Sequence, residues 1–148
     1  MRRATLALIP QLQKAAQLVA LYLERFRRDY GVTHPEAQVL AVLDARRRLS
    51  ILDLQRALGH KPSTLTSVLD RLVARGFITR SPGRTDRRSF DVTLTRAGAS
   101  PAAAIRTALD ALESTLVRRA GSADIRGVTS VTTTLEELIA VGGRSGSR

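Results

Sequence analysis

Residues 63–98, STLTSVLDRLVARGFITRSPGRTDRRSFDVTLTRAG, decide the fold of this chain of 148 residues. In the first part of the stretch, apolar side chains recur at helical spacing, and Gly76 follows as a typical helix end. After Gly76 come two β-prone segments, residues 77–80 and 89–94, separated by the turn residues 82–86. The stretch therefore predicts a helix followed by a β-hairpin with a basic tip.

Two shorter helices are predicted just before this stretch. Thr33 and Glu36 have the spacing of a capping box, which indicates a helix that starts there and stops near residues 46–48. Ser50 is the start signal of a short helix that ends at Gly59, and the helix of the deciding stretch begins around residues 61–63. The order short helix, turn, helix, hairpin is that of a winged helix-turn-helix.

Helical patterns flank this central unit on both sides. Residues 5–29 and 99–120 have apolar side chains at helical spacing, and a weaker pattern covers residues 123–140. The tail, residues 142–148, is rich in Gly and Ser and is predicted to be disordered. The sequence thus predicts a mainly α fold with a small β-hairpin wing, a winged helix-turn-helix with flanking helices, in a single domain over residues 1–148.

The charge of the chain favours a polyanionic partner. Lys and Arg number 24 against 13 Asp and Glu, a formal net charge of +11. Residues 61–96 hold eight basic and three acidic side chains, net +5, whereas residues 97–148 hold six and five. Because aromatic residues make up only 3%, single-strand binding by base stacking is disfavoured. The charge alone leaves two partners open, a nucleic acid, which is the favoured interpretation, and an anionic membrane surface. Together with the winged helix-turn-helix pattern it predicts double-stranded DNA.

Several other classes of protein are disfavoured by what the sequence lacks. There is no cysteine, which excludes disulfides, thiolate metal sites and thiol-oxidation sensing. His34 and His60 stand alone in the sequence, so we expect no metal and no cofactor. No catalytic motif is visible, and we expect no enzyme. No apolar run reaches the ~18–20 residues of a membrane span, and residues 1–14 make a poor signal peptide, so the prediction is a cytoplasmic protein without membrane contact.

Two groups of side chains are the candidate DNA contacts. Opposite its apolar stripe, the helix of the deciding stretch has small hydroxyl side chains that allow close approach to the major groove, and we expect these to read bases. We expect the arginine that follows on this helix to contact a base or a phosphate. Arginines at the hairpin tip add nothing to a core and suit a minor groove. The predicted DNA-binding residues are Ser63, Thr64, Thr66, Ser67, Arg71, Arg84, Arg87 and Arg88.

Two other charged features have alternative interpretations. Asp70 faces outward on the same helix, where it either pairs with an arginine, the favoured interpretation, or accepts a hydrogen bond from a cytosine amino group. Residues 46–48, three arginines in a row, form either a solvated cluster or a phosphate contact.

The sequence resembles the MarR family, the multiple-antibiotic-resistance type of bacterial transcriptional regulators. The resemblance covers about residues 20–100. The matching features are Leu69-Asp70-Arg71-Leu72 leading to Gly76, the wing pair Asp86 and Arg88, then Leu94-Thr95 and Gly98, and upstream Gly31-Val32-Thr33-His34-Pro35-Glu36-Ala37.

The resemblance implies a homodimer and a regulatory role. Residues 1–32 and 99–141 would supply the dimerisation helices, and residues 33–98 the winged lobe that binds a pseudo-palindromic operator. It further implies a ligand-responsive repressor with a small-molecule effector. Asp86 would be structural and bond a neighbouring arginine within the wing.

An architectural protein of the nucleoid type is the alternative. Such a protein would use the same basic lobe but have neither a preferred operator nor an effector. The two classes differ in the specificity ratio, which is at least ~10³ for an operator-binding protein.

Overall fold

The computed structural model describes residues 7–84 and 86–144, and side chains as far as residue 140. Its helices and strands follow the predicted order, which confirms the mainly α fold with a hairpin wing. The elements are α1 (Leu8–Leu23), α2 (Arg25–Tyr30), α3 (His34–Arg46), β1 (Arg48–Ser50), α4 (Ile51–Leu58), α5 (Pro62–Ala74), β2 (Ile78–Pro82), β3 (Phe90–Leu94), α6 (Arg96–Ala120) and α7 (Ser122–Arg144).

Local capping explains where the helices of the central lobe begin and end. At the start of α3, one half of the predicted capping box is formed: Glu36 Oε2 accepts the Thr33 backbone N–H at 3.0 Å, whereas Thr33 Oγ1 makes no hydrogen bond with the described residues. At the start of α4, the Ser50 hydroxyl accepts a hydrogen bond from the Asp53 backbone N–H at 3.0 Å. Gly59 ends α4 in the left-handed conformation, with φ of 66°.

The wing is a three-stranded sheet rather than a hairpin alone. Strand β1 pairs antiparallel with β3, which also pairs antiparallel with β2, giving the order β1-β3-β2. Leu49 lies opposite Val92, and Pro82 lies opposite Phe90. The sequence does not predict β1, because three residues between two helices carry no periodic pattern and the strand exists only through its partner.

The chain divides into two compact units, residues 1–107 and 108–148. The first unit has a core formed by the inner faces of α3 and α5, the sheet and the start of α6. Its largest fully buried side chains are Leu23, Leu40, Leu43, Leu54, Leu65, Leu69, Leu72, Ile78 and Ile105.

The second unit has no core of its own within the described residues. None of residues 108–140 is buried, although the end of α6 and the part of α7 up to residue 140 carry large apolar side chains. The exposed ones are Leu116, Val117, Val128, Leu135, Leu138 and Ile139. No helix of the described chain has the length and apolarity that a membrane crossing requires.

Some predicted boundaries need correction. The helix expected over residues 5–29 is interrupted at Glu24, which separates α1 from α2. Helix α6 begins at Arg96, earlier than the predicted residue 99. Helix α7 continues to Arg144, so residues 142–144 are helical and do not belong to a disordered tail. Residues 1–6 and the end of the predicted tail, 145–148, lie outside the described residues.

Candidate nucleic-acid interface

Helix α5 has the two faces that the sequence predicts. Leu65, Val68, Leu69 and Leu72 are buried against the rest of the lobe. The four predicted base-reading residues, Ser63, Thr64, Thr66 and Ser67, are all exposed. The apolar side therefore holds the helix in place while the hydroxyl side stays open to a ligand.

Two of these hydroxyl groups already donate hydrogen bonds inside the helix. Thr66 Oγ1 donates to the Pro62 carbonyl at 2.9 Å, and Ser67 Oγ donates to the Ser63 carbonyl at 3.1 Å. A hydroxyl group has one hydrogen to donate, and once that hydrogen is in a hydrogen bond the oxygen lone pairs can still accept one. In this arrangement Thr66 and Ser67 suit the exocyclic amino groups of adenine or cytosine.

Arg71 is anchored as well as exposed. Its Nε donates to Glu36 Oε1 at 2.7 Å, while 51% of the arginine side chain remains exposed. Glu36 lies at the first turn of α3 and is 2% exposed. The predicted contact of Arg71 with a base or phosphate is thus left to its terminal nitrogens.

Asp70 is paired with an arginine of the wing. Its Oδ1 accepts a hydrogen bond from Arg80 Nη2 at 2.7 Å. This confirms the favoured interpretation of Asp70 as half of a pair between elements. Arg80, which lies on β2, is a residue of this candidate site that the sequence reasoning missed, because nothing local links it to α5.

The wing turn is held by backbone groups around Asp86. Asp86 Oδ1 accepts from the Arg88 backbone N–H at 2.9 Å, and the Asp86 carbonyl accepts from the Ser89 N–H at 3.0 Å. The Gly83 N–H in turn donates to the Ser89 carbonyl at 2.8 Å. Asp86 therefore has a structural contact, but with the backbone of a neighbouring arginine and not with its guanidinium group.

The three predicted wing arginines are all available to a ligand. Arg84, Arg87 and Arg88 are exposed, and none forms an ion pair within the described residues. A turn that is held by hydrogen bonds and carries three unpaired guanidinium groups is suited to contact with the phosphate backbone or a groove of DNA.

Arg48 fits neither interpretation of the arginine run at residues 46–48. Its Nε lies 3.1 Å from Asp91 Oδ2 on β3, and its Nη2 donates to Ser81 Oγ on β2 at 2.9 Å. Both contacts are inside the sheet, so Arg48 joins the three strands. Arg46 and Arg47 are exposed.

Lys61 is a second residue that the sequence reasoning missed. It is exposed at the N-cap of α5, directly before Pro62. Free N–H groups and the helix dipole favour a phosphate at a helix start, and a lysine there adds a full positive charge. A lysine followed by proline at a helix start was the signal in the sequence.

His60 lies against α3, the helix that begins at His34. His60 Nε2 lies 3.2 Å from Gln38 Oε1. Burial lowers the pKa of His60 below its usual 6.5, and the positive charge of His34 lowers that pKa further. Among the described residues, no group of three or more metal-binding side chains is found.

Together, α4, α5 and the sheet form a winged helix-turn-helix lobe with an open polar helix face and a basic wing. Residues 32–90 match the model of the MarR family. This match confirms the resemblance seen in the sequence. An uncharacterized HTH-type transcriptional regulator of Bacillus subtilis, YfiV, is 39% identical over 61 residues, which are 41% of this chain and 38% of that protein.

Two further comparisons agree with this. The transcriptional repressor MdtR of Bacillus subtilis is 35% identical over 68 residues, 46% of this chain and 44% of that protein. This chain therefore spans less than half the length of these two relatives. A mutant MarR of Escherichia coli in complex with operator DNA has the same fold, with a TM-score of 0.67 and 21% identity over 88% of this chain and 94% of that chain.

Proposed function

We propose that this protein is a transcriptional regulator that binds specific double-stranded DNA. The exposed hydroxyl face of α5, tied to a wing with three unpaired arginines, is the observation that supports it. Helix α5 would enter the major groove and the wing the adjacent minor groove. The DNA-binding residues would be Ser63, Thr64, Thr66, Ser67, Arg71, Arg84, Arg87 and Arg88. We add Lys61 to them because it is exposed at the N-cap of α5.

The active form would be a homodimer. Residues 108–140 contain no buried side chain, yet α7 carries Val128, Leu135, Leu138 and Ile139 exposed. Large apolar surfaces of this kind are typical of protein interfaces. A two-fold dimer would place two recognition helices about 34 Å apart, so a pseudo-palindromic operator with half-sites ~10 bp apart is expected.

The regulator would act as a repressor that responds to a small-molecule effector in the cytoplasm. Support for repression comes from the relative MdtR, which is named a repressor. An effector shifts such a protein only if it binds one spacing of the two lobes more tightly than the other. The chain itself would have no catalytic activity and no cofactor.

The deciding experiment compares two duplexes by fluorescence anisotropy at ~150 mM salt, where phosphate-only binding is weakened. One duplex is the promoter DNA of the protein's own gene, and the other is its scrambled sequence. A preference of about a thousandfold supports an operator-specific regulator. Binding that does not weaken as salt is raised contradicts phosphate contact and with it the proposal.

A non-specific architectural protein remains the second candidate. The net charge of +11 and the short side chains on the open face of α5 favour it, because they supply phosphate attraction with modest base discrimination. Equal binding to promoter and scrambled duplex points to this candidate or to a different operator. Selection from random duplexes separates the two, since only an operator-binding protein enriches one sequence.

A further inference from the structure

Glu36 is the only charged residue that is buried among the described residues, at 2% exposure. Its Oε2 accepts the Thr33 backbone N–H at 3.0 Å, which completes the cap of α3. A glutamine can serve the same cap, so capping alone does not require a charge. The carboxylate has a second contact, through Oε1, with Arg71 on α5 at 2.7 Å.

The geometry of this second contact fixes the orientation of Arg71. A guanidinium group is planar and has five N–H donors in a rigid arrangement. When Nε is bound to a carboxylate, the far edge of the group, formed by the terminal nitrogens, is turned away from that carboxylate. Those terminal nitrogens have no hydrogen bond to any residue that the structure describes, and half of the side chain is exposed.

A neighbouring arginine takes a different part in the same cluster. Arg75 Nη1 lies 3.9 Å from Glu36 Oε2, but its guanidinium donates to the backbone carbonyls of Tyr30 and Gly31. Arg75 therefore fastens α5 to the turn between α2 and α3. Arg71 is the arginine of this cluster that keeps donors for a ligand.

We propose that Glu36 is a positioning residue for DNA binding: it holds Arg71 so that the terminal nitrogens meet the DNA. The inference rests on the proposed function. An arginine side chain without partners in the protein loses conformational entropy when it binds DNA. A side chain that is already held by another residue loses less. Glu36 thus increases affinity although it carries the same sign of charge as DNA.

The sign of one substitution separates this proposal from simple electrostatics. Glu36→Gln keeps the α3 cap and removes a negative charge near the interface. Electrostatics alone makes such a variant bind DNA more tightly. The positioning role makes it bind about two- to tenfold more weakly, which corresponds to the ordering of one long side chain.

The test measures anisotropy on a duplex of about three helical turns, selected by the wild-type protein from a random library. Glu24→Gln is the matched control, because Glu24 is exposed and pairs with Arg27 on α2. The double variant Glu36→Gln/Arg71→Ala is the second arm. We expect Glu36→Gln to weaken binding in the wild-type background. In the Arg71→Ala background only the loss of a negative charge remains, so the same substitution should not weaken binding.

Two results overturn the positioning role and leave the proposed function standing. The first is wild-type or tighter binding by Glu36→Gln, and the second is an equal loss with and without Arg71. If Glu36→Gln does not fold, as judged by circular dichroism, Arg71→Lys takes its place. That variant keeps the charge but lacks the far edge of the guanidinium, so wild-type affinity overturns the proposal. Wild-type protein that binds neither the selected nor the random duplex overturns the proposed function itself.

Discussion

Asp70 Oδ1 and Arg80 Nη2 lie 2.7 Å apart, which joins the outer side of α5 to strand β2 of the wing. The aspartate is 59% exposed and the arginine 28%. The carboxylate lies on the surface proposed to face DNA, where a free negative charge would repel phosphate. Arg80 partly neutralises that charge and at the same time sets the wing against the helix.

Asp70→Asn is therefore expected to bind random-sequence duplex about two- to fivefold more tightly, since one repulsive charge is lost and Arg80 is released. The free energy of unfolding should change by less than ~1 kcal/mol, because the Asp70 carboxylate is exposed to solvent. Anisotropy and urea unfolding measure the two effects. Asp29→Asn, an exposed pair partner on α2, is the control. Weaker binding to the selected duplex, but not to random DNA, would instead identify Asp70 as a cytosine reader.

Arg88→Ala is expected to weaken duplex binding and to lower the salt dependence by about one counterion, because the wing would lose one phosphate or groove contact. The Asp86 contact uses the backbone N–H of residue 88, so the wing turn itself should survive. Titration of labelled duplex at several salt concentrations measures both quantities. Arg28→Ala on α2 removes an exposed arginine outside the wing and is the control. If Arg88→Ala binds the duplex as tightly as the wild type, the assignment of the wing to the DNA interface is wrong.

Ser67→Ala is expected to change the sequence preference more than the salt slope. The Ser67 hydroxyl donates its hydrogen to the Ser63 carbonyl and has lone pairs left to accept a hydrogen bond from a base. Removing the hydroxyl should therefore not remove a phosphate contact. Selection from random duplexes with both proteins shows the preference, and a salt titration shows the slope. A reduced slope with an unchanged preferred sequence would make Ser67 a backbone contact.

Gly98→Ala is expected to destabilise the first unit by at least about 2 kcal/mol. A Cβ at this position would lie 2.0 Å from the Phe77 carbonyl oxygen. That carbonyl accepts the Thr95 backbone N–H at 3.0 Å, so it is held in place. Gly127→Ala on α7 is the control, since a Cβ there meets nothing within 4 Å and alanine favours a helix by about 0.5–1 kcal/mol. The melting temperatures of both variants and of the wild type measure these changes in stability.

The parts of the fold that sequence predicts are those whose causes are local. The α3 capping box lies within four residues and the apolar stripe of α5 within three turns, so both can be predicted from the local sequence alone. The contacts of Arg71 with Glu36 and of Arg48 with Asp91 join residues 35 and 43 positions apart. In a sequence, charged residues that pair over such distances cannot be told from charged residues exposed to solvent. Their partners become known only from the packing of the lobe.

The free energy of unfolding should fall as the pH is lowered from about 7.5 to 5.5. Burial and the charge of His34 lower the pKa of His60. The unfolded chain then takes up a proton near pH 6.5 before the folded one does, so acid favours unfolding. Melting temperatures at both pH values measure the change. His60→Asn should reduce the drop, and His34→Asn should reduce it in part. A wild-type melting temperature that is constant over this range contradicts the prediction.

Leu138→Glu is expected to convert a dimer into a monomer or to weaken the dimer strongly. Leu138 is 65% exposed and Ile139 is 73% exposed on α7, and residues 108–140 bury no side chain in a single chain. A charge at the centre of an apolar contact remains unpaired when it is buried, which costs several kcal/mol. Thr133→Glu places the same charge on the other side of the helical wheel and is the control. Analytical ultracentrifugation gives the mass of each variant. A monomeric wild-type protein, or a Leu138→Glu variant as dimeric as the wild type, would show that this face of α7 does not form the dimer.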